Sequence, residues 1–204
     1  MALSINVNIK GNNGITAFHL ACQGAHSDVV KMFMVNAVTL NIDLNSQTKK
    51  GQTAFHWVCQ GDLRYVVKLF LENASTLRID LNRKDNNGLT GFHLACRSGH
   101  SNVVKVILDC EFFHDLQSND LQERKYLSPS FIISASALRI DLNRKDNDGN
   151  TAFHYICQKG DSELVKIFME HLASLSINVN IKNNDGMTAL DLAKRRCQHS
   201  TWSP

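Results

Sequence analysis

Apolar and polar residues follow a block pattern along this chain, and the second block shows it clearly. Phe55, Val58 and Cys59 fall at i, i+3 and i+4, which is the spacing of one face of an α-helix. A break at Gly61-Asp62 follows, and the apolar positions between Val66 and Leu71 then predict a second amphipathic helix. The block therefore predicts a pair of short helices.

The segments on either side of the helix pair have the signals of a cap, an arm and a turn. Thr53 is suited to cap the first helix. After the second helix, residues 77–82 alternate in polarity and predict an extended arm, and residues 84–88 (Lys-Asp-Asn-Asn-Gly) predict a turn. Each block is thus predicted as turn, helix, helix and extended arm.

The block repeats at a nearly constant step. The turn glycines are Gly14, Gly51, Gly88, Gly149 and Gly186, at steps of 37, 37, 61 and 37 residues. Each of the first four is followed two residues later by Thr-x-Phe-His-x-x-Cys. A fixed period of about 20 to 50 residues is typical of a stacked array. The long step equals one period plus 24 residues, so we expect an insertion in the third unit.

The repeat divides the chain into units. We expect a partial arm at 1–13, units at 14–50, 51–87, 88–148 and 149–185, and a terminal half unit at 186–204. Residues 3–10 are identical to residues 175–182, so the first residues are interpreted as the arm of a unit. The half unit has no room for a second helix. Its polar helix indicates either a cap for the stack or a truncated array.

The repeated motifs resemble those of the ankyrin repeat family. The third unit carries the pattern most fully, as Asp-Asn-Asn-Gly-Leu-Thr-Gly-Phe-His-Leu-Ala-Cys at 85–96 and then Gly99-His100 and Val103-Val104. The resemblance implies an all-α ankyrin-type repeat solenoid of helix-turn-helix units joined by extended turns or β-hairpin loops. Two units depart from it, with Ala25 and Asp62 in place of the interhelical glycine, and we expect strained positive φ there.

The inserted stretch in the third unit, residues 111–134, lacks the repeat pattern. It follows a second helix, where a loop can project without disturbing the units stacked on either side of it. We therefore expect the insertion to be dispensable for folding. One hypothesis is a partner-specific finger using Phe112, Phe113, Tyr126 and Phe131. The other is a tolerated surface loop or a coding-sequence accident.

Composition narrows the class of partner and compartment. The chain is 43% hydrophobic and 20% charged, with a net charge of +3 spread along its length, which does not favour nucleic acid as partner. No apolar stretch is long enough for a membrane span, and the N-terminus lacks the pattern of a signal peptide. The four motif cysteines are predicted to lie too far apart for disulfides. We expect a monomer in the cytoplasm or nucleus.

The His-x-x-Cys pairs raise the question of metal binding. They are His19/Cys22, His56/Cys59, His93/Cys96 and His154/Cys157. A structural zinc ion needs four converging ligands, whereas these pairs are predicted to be separated by a whole packing step. We therefore expect core cysteines, histidines that bond the backbone of a neighbouring turn, and no metal or cofactor. No catalytic motif is present, so an enzyme is not expected.

The resemblance implies partner binding at the turn tips and along the exposed side of the first, or inner, helices. The corresponding residues are Lys49, Lys50, Gln52, Trp57, Gln60, Asn86, Asn87, Leu89, Arg97, Asn147, Asn150, Tyr155 and Gln158. Trp57 and Tyr155 are candidate binding anchors, or else they pack between inner helices. A lysine column at 31, 68, 105 and 166 on the second helices is either a solvated face or an attraction for acidic partners.

The function expected from this pattern is that of a noncatalytic scaffold or adaptor that holds a protein or peptide on its concave surface. Two alternatives remain open at the level of sequence. The chain is either a recruiting segment of a larger signalling, ubiquitin-ligase or channel protein, or an inhibitor that masks a transcription factor.

Overall fold

Within the residues that the structure describes, four helix pairs are followed by one terminal helix. The computed structural model describes the backbone of residues 6–115 and 140–200, and the side chains of 6–109 and 140–196. The helices are α1 (Ala17–Gln23), α2 (Ser27–Val35), α3 (Ala54–Gln60), α4 (Arg64–Asn73), α5 (Gly91–Ser98), α6 (Ser101–Asp115), α7 (Ala152–Lys159), α8 (Ser162–His171) and α9 (Ala189–Ser200). Those residues contain no strand. The predicted all-α repeat architecture is confirmed.

Each inner helix, α1, α3, α5 and α7, begins with a threonine and histidine pair. In the third unit Thr90 has an extended backbone and the Oγ1 of its side chain accepts the backbone N–H of His93 at 3.4 Å. The backbone N–H of Thr90 in turn donates to Nδ1 of His93 at 3.3 Å. This reciprocal capping box satisfies two backbone donors that a helix start leaves unpaired. The predicted threonine cap is confirmed, with histidine as its partner.

The two helices of a pair are separated by a residue with positive φ. Gly99 and Gly160 take this conformation at 85° and 68°, and Ala25 and Asp62 take it at 55° and 56°. The strain expected at the two non-glycine positions is therefore present. It costs roughly 1 kcal/mol at each residue, because a Cβ crowds the backbone in the left-handed region.

Aromatic rings join neighbouring units into one core. Phe70 of α4 lies 5.5 Å from Phe55 in its own unit and 5.7 Å from Phe18 in the preceding unit, between ring centroids. Phe168 of α8 makes the same bridge to Phe153 at 5.2 Å and to Phe92 at 6.2 Å. The second bridge crosses the insertion, so the stack continues from the third unit to the fourth.

The segment assigned to the insertion is described only at its start. Helix α6 runs to Asp115, five residues beyond Cys110, so it extends into that segment. Residues 116–134 lie outside the described residues, and the hypothesis of a partner-specific finger falls mostly there. Among the helices that are described, none is long and apolar enough to cross a membrane.

The predicted extended arm is interrupted by a left-handed residue. Arg78 has φ of 52°, and the equivalent Asn41 and Ser176 have 48° and 50°. The extended prediction for residues 77–82 was therefore wrong at residues 77–78 and also at residues 81–82, which form a further turn. An asparagine of the preceding arm binds this corner, because Nδ2 of Asn45 donates to the carbonyl of Arg78 at 2.9 Å and its Oδ1 accepts the N–H of Asp80 at 2.8 Å.

This asparagine contact recurs as a ladder between successive arms. Asn8 binds the carbonyl of Asn41 and the N–H of Asp43 in the same way, and Asn143 binds Ser176 and Asn178. We call these side chains the asparagine ladder. Each one satisfies a donor and an acceptor of the corner in the next unit. The ladder therefore holds the longer arm of this repeat against its neighbour.

We expect Asn45→Ala to lower the free energy of unfolding by about 1–2 kcal/mol, because it removes two hydrogen bonds and leaves a carbonyl and an amide without their partner. Asn45→Asp keeps the acceptor for the N–H of Asp80 but sets a carboxylate oxygen against the carbonyl of Arg78, so it should cost at least as much. Urea unfolding of both variants and the parent measures the difference. Equal stability of all three would show that water replaces the ladder without loss.

Candidate partner-binding surface

The turn tips are rigid hairpin-like turns tied to one another. In the third unit the N–H of Asp85 donates to the carbonyl of Leu89 at 2.8 Å and the N–H of Gly88 donates to Asp85 at 2.9 Å. Gly88 has φ of 77°, a conformation that glycine adopts without strain. Asp85 is buried and its Oδ1 accepts two further backbone N–H groups, from Asn87 and Leu89. The tip therefore presents its residues in a fixed conformation.

Adjacent tips are joined through asparagine. The backbone N–H of Asn86 donates to Lys50 at 3.0 Å and its Nδ2 donates to Lys49 at 2.9 Å. Asn147 makes the same pair of bonds to Asn87 and Asn86, at 3.1 and 3.0 Å. The side chains of Asn86 and Asn147 are thus committed to the joint between units, although both were predicted as partner contacts.

Trp57 lies half-buried on the inner-helix surface and is held at both ends. Its Nε1 donates to Oε1 of Gln52 at 3.1 Å, and its ring meets His19 of the preceding unit edge-on at 5.3 Å. Beside it is an open cavity of about 330 Å³, lined by Gln23, Gln52, Trp57, Gln60, Gly61 and Leu63. The lining side chains carry no formal charge. This cavity is suited to an uncharged polar or apolar group of a partner.

Tyr155 occupies the same position in the fourth unit and is anchored in a similar way. Its hydroxyl donates to the carboxylate of Asp146, and its ring lies edge-on to His93 at 6.3 Å. Burial, reinforced by the hydrogen bond to Asp146, raises the pKa of Tyr155. The guanidinium of Arg97 lies 6.0 Å from the ring centroid. The third and fourth units thus place an aromatic ring beside an exposed cation.

The residues predicted to contact a partner differ in how far the structure exposes them. Exposed are Lys49, Lys50, Gln60, Asn86, Asn87, Arg97, Asn147 and Gln158; partly buried are Gln52, Trp57, Asn150 and Tyr155. Leu89 is buried, with 1% of its surface exposed, and the prediction that its side chain meets a partner is corrected. Only Leu89 packs fully inward at this repeat position, whereas Gln52, Asn150 and also the apolar Ile15 and Met187 stay partly exposed, so residue type alone does not decide the burial.

Some residues that shape this surface were missed by sequence reasoning. Asp146 holds the hydroxyl of Tyr155 through a hydrogen bond. The only sequence feature that could have pointed to Asp146 is its place at the start of an Asp-x-x-Gly turn. Lys159 donates from Nζ to the carbonyl of Ser98 in the preceding unit, at the end of α5. A cation at the carbonyl end of a helix is favoured by the helix dipole. Leu63 lines the cavity at Trp57, and no feature of the sequence marked it as a surface residue.

The motif histidines are buried behind this surface with both ring nitrogens engaged. In the second unit, Nδ1 of His56 accepts the N–H of Thr53 at 3.1 Å, so the proton lies on Nε2, which donates to the carbonyl of Leu89 at 3.0 Å. Burial lowers the pKa of His19, His56, His93 and His154, and the carbonyl bonds oppose this only in part. The prediction that these histidines bond a neighbouring turn is confirmed.

The motif cysteines are buried thiols in the stacked core. Cys22, Cys59, Cys96 and Cys157 are all free. Burial raises the pKa of Cys22 to about 12 and of Cys157 to about 11. Thiols with such pKa values stay protonated near neutral pH and are poor ligands and nucleophiles. Among the described side chains, no group of three or more His, Cys, Asp or Glu residues is arranged to hold a metal ion.

Paired helices stacked in two rows, with glycine turns that tie each pair to the next, define the class of helical repeat solenoids. Comparison with family models places the chain within that class, because the model for ankyrin repeats, of three copies, matches residues 18–120 and 129–201. The chain belongs to the ankyrin repeat family. No curated protein matches it. Proteins of this family are typically noncatalytic and generally act as protein-interaction modules.

Proposed function

We propose that this protein is a noncatalytic scaffold that holds a protein or peptide segment against the inner helices and tips of its second to fourth units. The observation that supports this most strongly is the pair of aromatic side chains, Trp57 and Tyr155, each half-buried with its polar end fixed by a framework residue. Anchors that are already ordered lose little conformational entropy on binding. Aromatic and arginine side chains also dominate binding energies at protein interfaces.

The charges of this surface indicate how a partner would be oriented. Lys49, Lys50 and Arg97 are exposed on the side of the first three units, whereas Asp148 and Asp185 are exposed at the last two tips. A segment with acidic residues toward Lys49 and Lys50 and basic residues toward Asp148 and Asp185 would match these tips, and the exposed Arg195 and Arg196 of α9 favour an acidic residue beyond the last tip, since complementary charges fix register. The cytoplasm or nucleus is the proposed location, supported by the four free thiols.

Affinity capture from a cell extract, read by quantitative mass spectrometry, tests the proposed surface. We expect proteins retained by the parent to be lost with Trp57→Ala, Arg97→Ala and Tyr155→Ala, each weakening affinity about 30-fold or more, since truncating an anchor costs about 2 kcal/mol. Arg97→Ala is the cleanest variant because Arg97 is exposed. Thermal melting of each variant separates lost binding from lost folding.

The matched control changes a set of exposed cations on the second helices. Lys31, Lys68, Lys105 and Lys166 are all exposed, and Lys68 has only a 3.9 Å ion pair to Glu72. Changing the four lysines to glutamine should leave capture nearly intact at physiological salt. If the lysine set abolishes capture and the three anchor variants retain it, the working surface is the second-helix face and the proposal is wrong.

A further inference from the structure

Three of the four joints between successive described units are closed by a side chain of the later unit. In each of them this side chain donates a hydrogen bond to a carbonyl at the end of the preceding inner helix. The bonds run from Nε2 of His100 to Gln60 at 2.8 Å, from Nζ of Lys159 to Ser98, and from Nη1 of Arg196 to Gln158 at 3.0 Å. Each donor satisfies a carbonyl that the end of a helix leaves unpaired.

The joint between the first and second units has no such donor. Leu63 takes the repeat position of the histidine donor, and Gly61 takes the position of the lysine and arginine donors. Neither residue has a side chain that can donate a hydrogen bond. The carbonyls of Gln23 and Gly24, at the end of α1, accept no hydrogen bond from any residue that the structure describes. This helix end is therefore left open to a donor from another molecule.

The cavity beside Trp57 lies at this same joint. Its lining includes Gln23, the last residue of α1, together with Gly61 and Leu63 of the second unit. These are the positions between which the donor side chains of the later joints extend. The cavity of about 330 Å³ therefore occupies the space that a long donor side chain fills in the later units.

The surroundings of this cavity favour a donor that is positively charged. The lining side chains carry no formal charge, but the carbonyl end of α1 adds the partial negative charge of a helix dipole. The half-buried ring of Trp57 attracts a cation placed over its face. The side-chain amides of Gln23 and Gln60 make no hydrogen bond to described residues, so their oxygens are free to accept. Equivalent helix ends in this chain already hold Lys159 and Arg196.

From this correspondence we infer that the cavity is a binding site for one lysine or arginine side chain of the partner. That side chain takes the place that Lys159 and Arg196 take in the later units. The inference rests on the proposed function, because it names a side chain of the segment held against the inner helices. Lys49 and Lys50 precede α3, whereas the cavity extends to the opposite end of that helix. The tips and the cavity therefore select opposite charges at different places.

NMR titration with small amino-acid amides tests the site without a known partner. The probes are Nα-acetyl-lysine methylamide and Nα-acetyl-arginine methylamide, with Nα-acetyl-norleucine methylamide as the uncharged probe of similar length. We expect both basic probes to shift the indole N–H resonance of Trp57 saturably. The norleucine probe should bind about 10-fold more weakly or worse, because it has neither the charge nor the donor. Trp202→Phe removes the other indole resonance of the chain, so the signal is unambiguous.

Two substitutions at Leu63 make the test specific for this cavity. Leu63→His restores a donor at the repeat position of His100, so it should close the site from within the chain and abolish the shift. Leu63→Met keeps an apolar side chain of similar volume and should bind the basic probes as the parent does. Thermal melting of both variants separates lost binding from lost folding. Equal binding of the three probes, or unchanged binding of the basic probes to Leu63→His, overturns the inference.

Peptides selected from a random phage-displayed library separate this inference from the proposed function. We expect the selected peptides to need Trp57, Arg97 and Tyr155. Their affinity should fall about 10-fold or more when one lysine or arginine is replaced by norleucine, or when the protein carries Leu63→His. Peptides that need the three anchors but no basic residue would overturn the inference and leave the proposed function intact. Basic probes that bind at Trp57, with no peptide needing Arg97 or Tyr155, would support the inference and contradict the proposed function.

Discussion

This protein should lose stability when the pH is lowered from 7 to 5.5. His19, His56, His93 and His154 are each about 1% exposed, and burial lowers the pKa of each below 6.5. The hydrogen bonds give the same direction, because Nδ1 of each ring accepts the N–H of its capping threonine and cannot also carry a proton. Protonation would therefore break the cap.

The sign follows from proton uptake. Below about pH 6.5 the unfolded chain binds protons on these histidines that the folded chain does not, so stability is full above that pH and falls as the pH drops toward the lowered folded pKa. Each such histidine contributes at most about 1.4 kcal/mol per pH unit, and the sum over the four rings is the upper limit of the slope. Denaturant unfolding between pH 7.5 and 5 measures the slope.

A single replacement provides the control for the pH experiment. His56→Gln removes one titrating ring, so its slope should correspond to one proton fewer than that of the parent, whatever its stability at pH 7.5. NMR titration of the folded protein adds an independent measurement. Normal pKa values near 6.5 for the four rings, or a stability that does not change with pH, would contradict the prediction.

Gly88→Ala should cost about 3 kcal/mol or more of unfolding free energy. An alanine at φ of 77° is strained by about 1–2 kcal/mol. Its Cβ would also lie 2.6 Å from the backbone nitrogen of Asn147, which is closer than real contacts allow. The next tip would have to move, and the bonds from Asn147 to Asn87 and Asn86 would be weakened.

Gly186→Ala is the matched control for the tip glycine. Gly186 has φ of 73°, and a Cβ there would meet nothing within 4 Å among the described residues, since no further tip lies against it. It should therefore cost only the backbone strain. Equal losses for the two variants, measured by urea unfolding, would mean that strain alone sets the cost and that contact between tips adds nothing.

Much of the fold could be predicted from the sequence because the repeat shows each capping, core and turn motif several times. The threonine caps and the core cysteines follow from local residue types, and the positive φ at Ala25 and Asp62 follows from their alignment with the interhelical glycines of the other units; the structure has all of them. The left-handed corner at Arg78 could not be predicted. An arginine is not favoured there, and the asparagine that binds the corner lies 33 residues earlier in the chain.

The candidate surface was less predictable because exposure depends on the neighbouring units. Trp57, Leu94 and Tyr155 share one repeat position, yet Leu94 is 1% exposed and the two aromatic side chains are half-buried. Their hydrogen bonds to Gln52 and Asp146 depend on the turn that precedes each inner helix. Periodicity identifies the position, whereas the contacts made at each step of the stack decide what a partner can reach.

The asparagine ladder bears on how an array of this kind can lengthen during evolution. Asn45 lies in the arm that ends one repeat, and the corner that it binds recurs 37 residues after the equivalent corner at Asn41. A tandem duplication of one full period therefore copies both the binding side chain and its target, wherever the duplication begins. The new copy is joined on both sides without any compensating mutation, so array length can change in a single genetic event.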